Sequence, residues 1–303
     1  MSDQDIQLAS QQYATNVTLL LQQKGSKLRE HVSIGNYTGK AANVVDQVAA
    51  INATDISGRF QPKGRTDAAV NKRWVYPSDK IIPQLFDSRD KLRLISDPKS
   101  KATENATYGM GRAIDDVIIS AMFGTAKTGV EGGTSTTFGS TLTSAGGQNV
   151  SVLIGGSAAC GLNVAKLREV RRMALANQID LDSEPLVMGI TSKQDSDLLQ
   201  EIQITSLDFN DRPVLKDGKV ISFLGIKFIP IERLTLGTSD SGSARECPVW
   251  VPNGMHLGIW DDIRVTAAQR FDLEGNPWGL DTEMTIGATR IEEKRVFRVW
   301  CAE

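Results

Sequence analysis

The sequence predicts an α+β protein, and three observations carry that expectation. One long amphipathic helix is written into the middle of the chain. A Gly-, Asn- and Thr-rich stretch with two short apolar groups lies ahead of it. Short apolar or alternating strands alternate with two further helices behind it.

The long helix is the strongest element. Asp97-Pro98 is a good opening, because an Asp side chain can accept first-turn amides and Pro is at home at the first helical position. Ala102, Ala106, Met110, Ala113, Ile114, Val117, Ile118, Ala121 and Met122 recur at spacings of three and four and so share a face. Arg112, Asp115 and Asp116 are expected on or near the opposite face, and Gly124 is a stop signal. A helix of about 25 residues, on the order of 37 Å, suits a structural spine.

The other elements follow in order. Residues 3–23 predict an amphipathic helix with Ile6, Ala9, Tyr13, Val17, Leu20 and Leu21 in one stripe, broken at Gly25. Residues 34–77 predict a long β-hairpin whose apolar groups, Val44 to Ile51 and Trp74 to Tyr76, flank a turn-rich tip bearing Arg59, Lys63 and Arg65. An isolated hairpin is marginal in water, so this one is expected to lie against another chain. Residues 124–161 are Gly/Ser/Thr-rich with one short strand at Val150 to Ile154. Asn163 caps a helix to Ile179 with Val164, Leu167, Val170, Met173 and Ala174 inward. Pro185 to Ile190 predicts a buried strand, and Ser192 to Ile202 a helix. Phe209 to Val220 predicts a loop turning at Asp217-Gly218, and Ile221 to Ile231 a strand pair or one bent strand. Asn253-Gly254 predicts a hairpin turn between Cys247–Val251 and Met255–Trp260, and Thr282 to Trp300 predicts a final two-stranded hairpin.

Composition narrows the function. The formal net charge is −2 with no basic tail, which argues against a histone-like nucleic-acid binder. Cys160, Cys247 and Cys301 are far apart and in no metal spacing, so reduced thiols of a cytoplasmic protein are expected. No signal peptide and no membrane-spanning run are expected, and the Asn-x-Ser/Thr triplets read as chance.

Catalytic motifs are near misses. Gly155-Gly156-Ser157-Ala158-Ala159 lacks the last Gly of a nucleophile elbow, and its only histidine candidates are His31 and His256. Gly35 to Ala41 fails the phosphate-loop spacing and ends in Ala where Ser or Thr is needed. Gly109-Met110-Gly111 lies inside the long helix, where its use would be close approach of a neighbouring backbone. The carboxylates at Asp115-Asp116, Asp180/Asp182, Asp208/Asp211 and Asp261-Asp262 match no calcium loop, and ion pairs to Arg on a neighbouring element are expected for the first pair. No catalytic, cofactor or metal residue is therefore assigned.

Several motifs carry a family resemblance. Asp87-x-x-Asp90, Asp97-Pro98-x-Ser100, Gly111-Arg112-Ala113-x-x-Asp116 and Ala121-x-x-Gly124-Thr125-Ala126 resemble the spine-helix segment of tailed-phage major capsid proteins, shell proteins of the HK97-like fold. Leu19 to Val32 resembles their amino-terminal arm, and Gly287-Ala288-Thr289-Arg290 their carboxy-terminal end. The resemblance implies an arm (1–33), an extended loop (34–80), a peripheral domain (81–160 with 261–303) and an axial α/β domain (161–260). It implies pentamers and hexamers of the chain itself in an icosahedral lattice, with a scaffold protein, a portal, a decoration protein and packaged double-stranded DNA bound without sequence specificity. It implies no membrane partner, no cofactor and no enzymatic activity. It places the protein in the virion, assembled in the bacterial host cytoplasm. Arg59, Lys63, Arg65, Arg112, Asp115 and Asp116 are the candidate inter-subunit contacts. Some relatives cross-link a loop Lys to a neighbour's Asn; Lys63 is the Lys to suspect, although no residue pattern here points to the reaction. The arm is short beside relatives with a long removable segment, which is why a separate scaffold is expected. Two other readings stay open: an encapsulin-type compartment of the same fold, and a soluble α/β enzyme built on Ser157 and His256.

Overall fold

A computed structural model describes residues 21–53, 55, 58, 64–86, 99–139, 147–156, 158–201, 215–216 and 219–303. Within them the chain forms two compact units. One gathers the described parts of 21–26, 79–113 and 261–285, and the other those of 27–78, 114–260 and 286–303.

The expected spine is present. Helix α1 runs Lys99–Phe123, 25 residues or about 37 Å. Ala106, Met110, Ile114, Ile118 and Met122 are buried at uniform spacings of four, and Gly124 N closes the last turn on Ser120 O at 2.9 Å. The buried band is wider than expected, because Gly111, Asp115 and Ile119 are buried as a second row beside the first. Asp97-Pro98 lies outside the described residues. So does the predicted helix over 3–23 apart from its last residues, which are irregular.

Strands are numbered along the chain. One four-stranded sheet has the order β1 (Ser33–Asn36), β15 (Met255–Gln269), β16 (Trp278–Arg290), β4 (Ser78–Phe86), with β1 parallel to β15. A second has the order β2 (Ala42–Val48), β3 (Val70–Val75), β5 (Ala126–Thr128), β6 (Thr134–Thr136), antiparallel throughout. The largest sheet has the order β11 (Ser222–Phe223), β12 (Ile226–Pro230), β8 (Leu186–Ile190), β14 (Gly242–Trp250), β17 (Val296–Cys301), β7 (Asn149–Val150), with β13 (Leu236–Ser239) beside β14. The short pair β9 (Leu215–Lys216) and β10 (Lys219–Val220) flanks the expected turn at 217–218, itself outside the described residues.

The large sheet holds the core of the second unit. All five residues of β8 are buried, as its uninterrupted apolar run predicts for a strand covered on both faces. Helix α2 (Val164–Ala176) buries Val164, Leu167, Val170, Met173 and Ala174, and the Asn163 side chain caps it by accepting from Lys166 N at 2.9 Å. Helix α3 (Ser192–Gln200) opens on a capping box of Thr191 and Gln194. The strand pair at 221–231 turns through Leu224 and Gly225, both at positive φ, which matches a primed hairpin turn.

Two expected hairpins are corrected. β14 and β15 do not pair: Pro252–Gly254 is a 3₁₀ turn that carries the chain from the large sheet into another. Likewise β16 and β17 belong to different sheets, joined by a 3₁₀ turn at Glu293–Arg295. The alternating patterns located the strands, but the partners are set by burial on distant surfaces. The strand expected at Val150 to Ile154 shortens to Asn149–Val150, and the β5–β6 hairpin was not foreseen in that Thr/Gly-rich tract.

Candidate functional site

The spine helix clasps the chain segment from Gln22 to Leu28. Gly111 faces Gly25, and a Cβ at 111 would fall 2.5 Å from the Gly25 backbone. Glycine is therefore required there for contact, at a propensity cost of about 1 kcal/mol. Gly25 itself sits at φ +71°. Beside it, Arg112 Nη1 donates to Gln22 Oε1 (2.6 Å) and Gln23 O (3.2 Å). One turn on, the Asp115 carboxylate accepts from Lys27 N (3.1 and 3.2 Å) and Leu28 N (3.1 Å). Asp115 is fully buried and serves within its own chain, rather than on a face a neighbour could reach. Its neighbour Asp116 is exposed and takes a two-pronged ion pair from Arg233, Nε to Oδ1 at 2.7 Å with Nη2 on the other oxygen. The expected Arg partner is thus real, and it lies in the same chain.

The end of the spine helix is held by a buried ion knot. Arg290 is wholly buried, and its Nη1 donates to Ala121 O (3.0 Å), Met122 O (3.0 Å) and Gly124 O (2.6 Å). These are carbonyls that a helix terminus leaves without partners, and the guanidinium also opposes the negative end of the helix dipole, worth up to about 2 kcal/mol in a partly buried setting. Burial lowers the Arg290 pKa, and Glu293 works against that shift. Glu293 bridges outward: one oxygen accepts from Arg290 Nε (3.0 Å) and the other from Arg73 Nη1 (3.1 Å) on β3. The knot therefore ties β3 to the helix end. Arg298 adds a layer, stacking on Phe123, Phe138 and Trp300 at 5.3, 5.1 and 4.7 Å from the ring centres.

β2 and β3 form the antiparallel pair that the pattern over 34–77 predicts. β2 and β3 pair from Ala42↔Val75 to Val48↔Val70, with a bulge near Val44, and Ala49 N to Ala69 O continues the ladder. Its base is packed: Val75 and Arg73 are buried, and Trp74 Nε1 donates to Gly129 O of the β5–β6 turn. Its outer part is bare, with Val48 66%, Ile51 57% and Val70 55% exposed. Of the basic tip residues, Arg65 pairs locally with Asp67 at 2.8 Å, whereas Arg59 and Lys63 lie outside the described residues.

Of the enzyme candidates, His256 is bonded to two other side chains. His256 Nδ1 lies 2.8 Å from Ser33 Oγ, and its Nε2 lies 2.9 Å from Tyr37 Oη. Ser33 Oγ donates to Met255 O at 2.8 Å, so it accepts from Nδ1–H, and Nε2 accepts from the tyrosine. Burial depresses the His256 pKa, which favours the neutral ring this pattern needs. With its proton committed to a carbonyl, Ser33 is no activated nucleophile. Ser157 lies outside the described residues. No group of three His, Cys, Asp or Glu suited to a metal occurs among the described residues, and no described helix is long and apolar enough to cross a membrane. The cysteines are free thiols, and Cys247 and Cys301 are buried on adjacent strands.

Comparison with known proteins decides the family. A profile described as phage capsid protein matches residues 6–303. This chain belongs to the phage capsid protein family. No curated protein matches it in sequence. Solved structures share its fold at low identity. The capsid of cyanophage Pam1 is 13% identical with a TM-score of 0.72, over 97% of this chain and 96% of that one. Mycobacterium phage Che8 is 12% identical at 0.70, over 96% and 97%, and a native GTA particle capsid is 12% identical at 0.69, over 98% and 96%. The phage capsid protein thus has the HK97-like fold and is a structural protein of the virion rather than an enzyme. The residues the sequence reading missed are Arg73, Glu293 and Lys166. Lys166 is fully buried, with Nζ donating to Cys160 O (2.6 Å) and Trp300 O (2.7 Å). A charged residue on the inward side of a predicted helix is a signal that could have found it.

Proposed function

We propose that this major capsid protein closes into an icosahedral phage head through pentamers and hexamers of one chain, with the arm (1–33) and the extended loop (34–80) reaching onto neighbouring copies. In this division the peripheral domain is 81–160 with 261–303 and the axial domain is 161–260. The observation that carries the reading is the hairpin: its base is packed and ion-paired, while Val48, Ile51 and Val70 stay in water in the single chain. Exposed apolar groups on a projecting hairpin gain from a partner surface. Arg59, Lys63 and Arg65 at the tip are the contacts first expected to cross the interface, with Arg112 and Asp116 as secondary ones. Each contact is modest, and many simultaneous ones make the lattice strong. The shell encloses double-stranded DNA without reading its sequence, forms in the bacterial cytoplasm, and uses a scaffold protein, a portal and a decoration protein as partners. Electron microscopy of the purified chain, alone and with neighbouring gene products, tests this: closed shells or ring-shaped capsomers are expected. Deleting 34–80 should abolish them, and unaltered assembly of that deletion would refute the role of the loop.

A further inference from the structure

A histidine is covered by a single aromatic ring where β1 meets β15. The two strands run parallel in register, Ser33 beside His256 and Gly35 beside Gly258, and β1 has no strand on its outer side among the described residues. His256 is buried, with 7% exposure. Its ring nitrogens are taken by Ser33 Oγ (2.8 Å) and Tyr37 Oη (2.9 Å). The Tyr37 ring stands edge-on to the imidazole at 5.6 Å and tilts against Trp260 at 5.7 Å. Two glycines make room for it. A Cβ on Gly35 would fall 2.9 Å from Tyr37 Oη and 3.0 Å from His256 Cε1. One on Gly258 would fall 3.0 Å from the Trp260 ring and 3.1 Å from Tyr37 Cδ2. With no side chain at either position, the Tyr37 ring supplies the cover there.

This setting suits a neutral imidazole. As bonded, Nδ1–H donates to Ser33 and Nε2 accepts the Tyr37 hydroxyl proton. A proton on Nε2 turns that acceptor into a donor, so the hydroxyl must reverse and its own proton loses its acceptor. The new charge also sits away from water without a counter-ion. The polar groups on the ring are Ser33 and Tyr37, and no carboxylate or cation among the described residues acts on either ring: burial alone lowers the His256 pKa, and burial alone raises that of Tyr37. His31, the chain's other histidine, feels Lys227 and Glu30 instead. We infer that Tyr37 is an acid-opened lid: when His256 takes a proton, Tyr37 swings off the imidazole, the charged ring reaches water across Gly35 and Gly258, and the link 37–41 at the foot of β2 comes free while the sheets stay folded. Opening gives up one side-chain hydrogen bond, two ring contacts and the bond from Tyr37 N to Ile259 O (2.9 Å), far less than unfolding does. The open form binds the proton better than the closed one, so falling pH draws the lid open. The device belongs to the single chain and does not depend on the shell.

Nuclear magnetic resonance of the full-length, unassembled chain tests the lid. Fluorine spectra of protein carrying 3-fluorotyrosine read the cover, and carbon-13 histidine labelling reads the charge. With four tyrosines and two histidines in the chain, Tyr37→Phe and His256→Gln assign both signals. As pH falls from about 7.5 to about 5, the Tyr37 signal should gain the solvent isotope shift of a free tyrosine ring. Its midpoint should match the His256 titration, and far-ultraviolet circular dichroism should stay unchanged. In His256→Gln, which takes up no proton at that position, Tyr37 should stay covered across the same range. Charging of His256 with Tyr37 still covered, equal exposure of Tyr37 in His256→Gln, or a Tyr37 that stays covered until the whole chain unfolds would overturn the inference.

Discussion

Replacing Glu293 with Gln should be among the most damaging conservative changes in this protein. Its carboxylate lies between two buried guanidiniums, with side-chain exposures of 7% for Arg73, 7% for Glu293 and 0% for Arg290. The amide keeps one acceptor oxygen but turns an NH₂ toward one of the two donors. One charge-assisted bond becomes a donor facing a donor, and two buried cations lose their counter-charge. Breaking a buried pair on one side costs about 3–5 kcal/mol, most of it the penalty of leaving charge unpaired away from water. At roughly 2–4 °C per kcal/mol for a chain above about 150 residues, the melting temperature should fall by about 10 °C. Calorimetry and urea titration of unassembled subunits would measure it. A double-mutant cycle with Arg73→Met should show a coupling above about 1 kcal/mol, because the residues share one oxygen contact at 3.1 Å. A shift below about 2 °C, with no coupling, would show that the knot is not desolvated and would sink the argument.

Other outcomes follow from the same geometry. Gly111→Ala should destabilise by about 1–3 kcal/mol and speed proteolysis around residues 21–28, since its Cβ meets backbone at 2.5 Å; Gly109→Ala meets only the tip of Ile82 at 2.9 Å and should be neutral or slightly stabilising by melting temperature. Asn163→Ala should cost about 1 kcal/mol in denaturant unfolding by removing the α2 cap. Burial lowers the folded-state pKa of His256 below its unfolded value near 6.5, so its contribution is intact above about pH 6.5 and is lost as pH falls toward the depressed folded value. Melting temperature should therefore drop as pH falls below about 6.5, and His256→Asn should flatten part of that drop; His31, also depressed by burial, contributes in the same direction. A profile unchanged by His256→Asn would mean the ring titrates freely.

What the sequence determined by itself are the elements whose signal is local. The spine helix is legible because a stripe at spacing four survives any tertiary context, and α2 because Asn163 and its apolar face are contiguous in the chain. β8 is legible because an unbroken apolar run this short fits a strand buried on both faces. The hairpin is legible from its two apolar groups around a turn-rich tip. The tertiary structure alone decided partners. Strands that look like a hairpin around Asn253-Gly254 go to different sheets, because pairing is settled by which distant surface buries each face. Asp115 was expected to pair with an Arg as Asp116 does, since no local pattern says that the Lys27 and Leu28 amides arrive beside it. Arg73, Glu293 and Arg290 meet across 220 positions of sequence, and a charge reads as surface until the fold supplies its partners and removes its water.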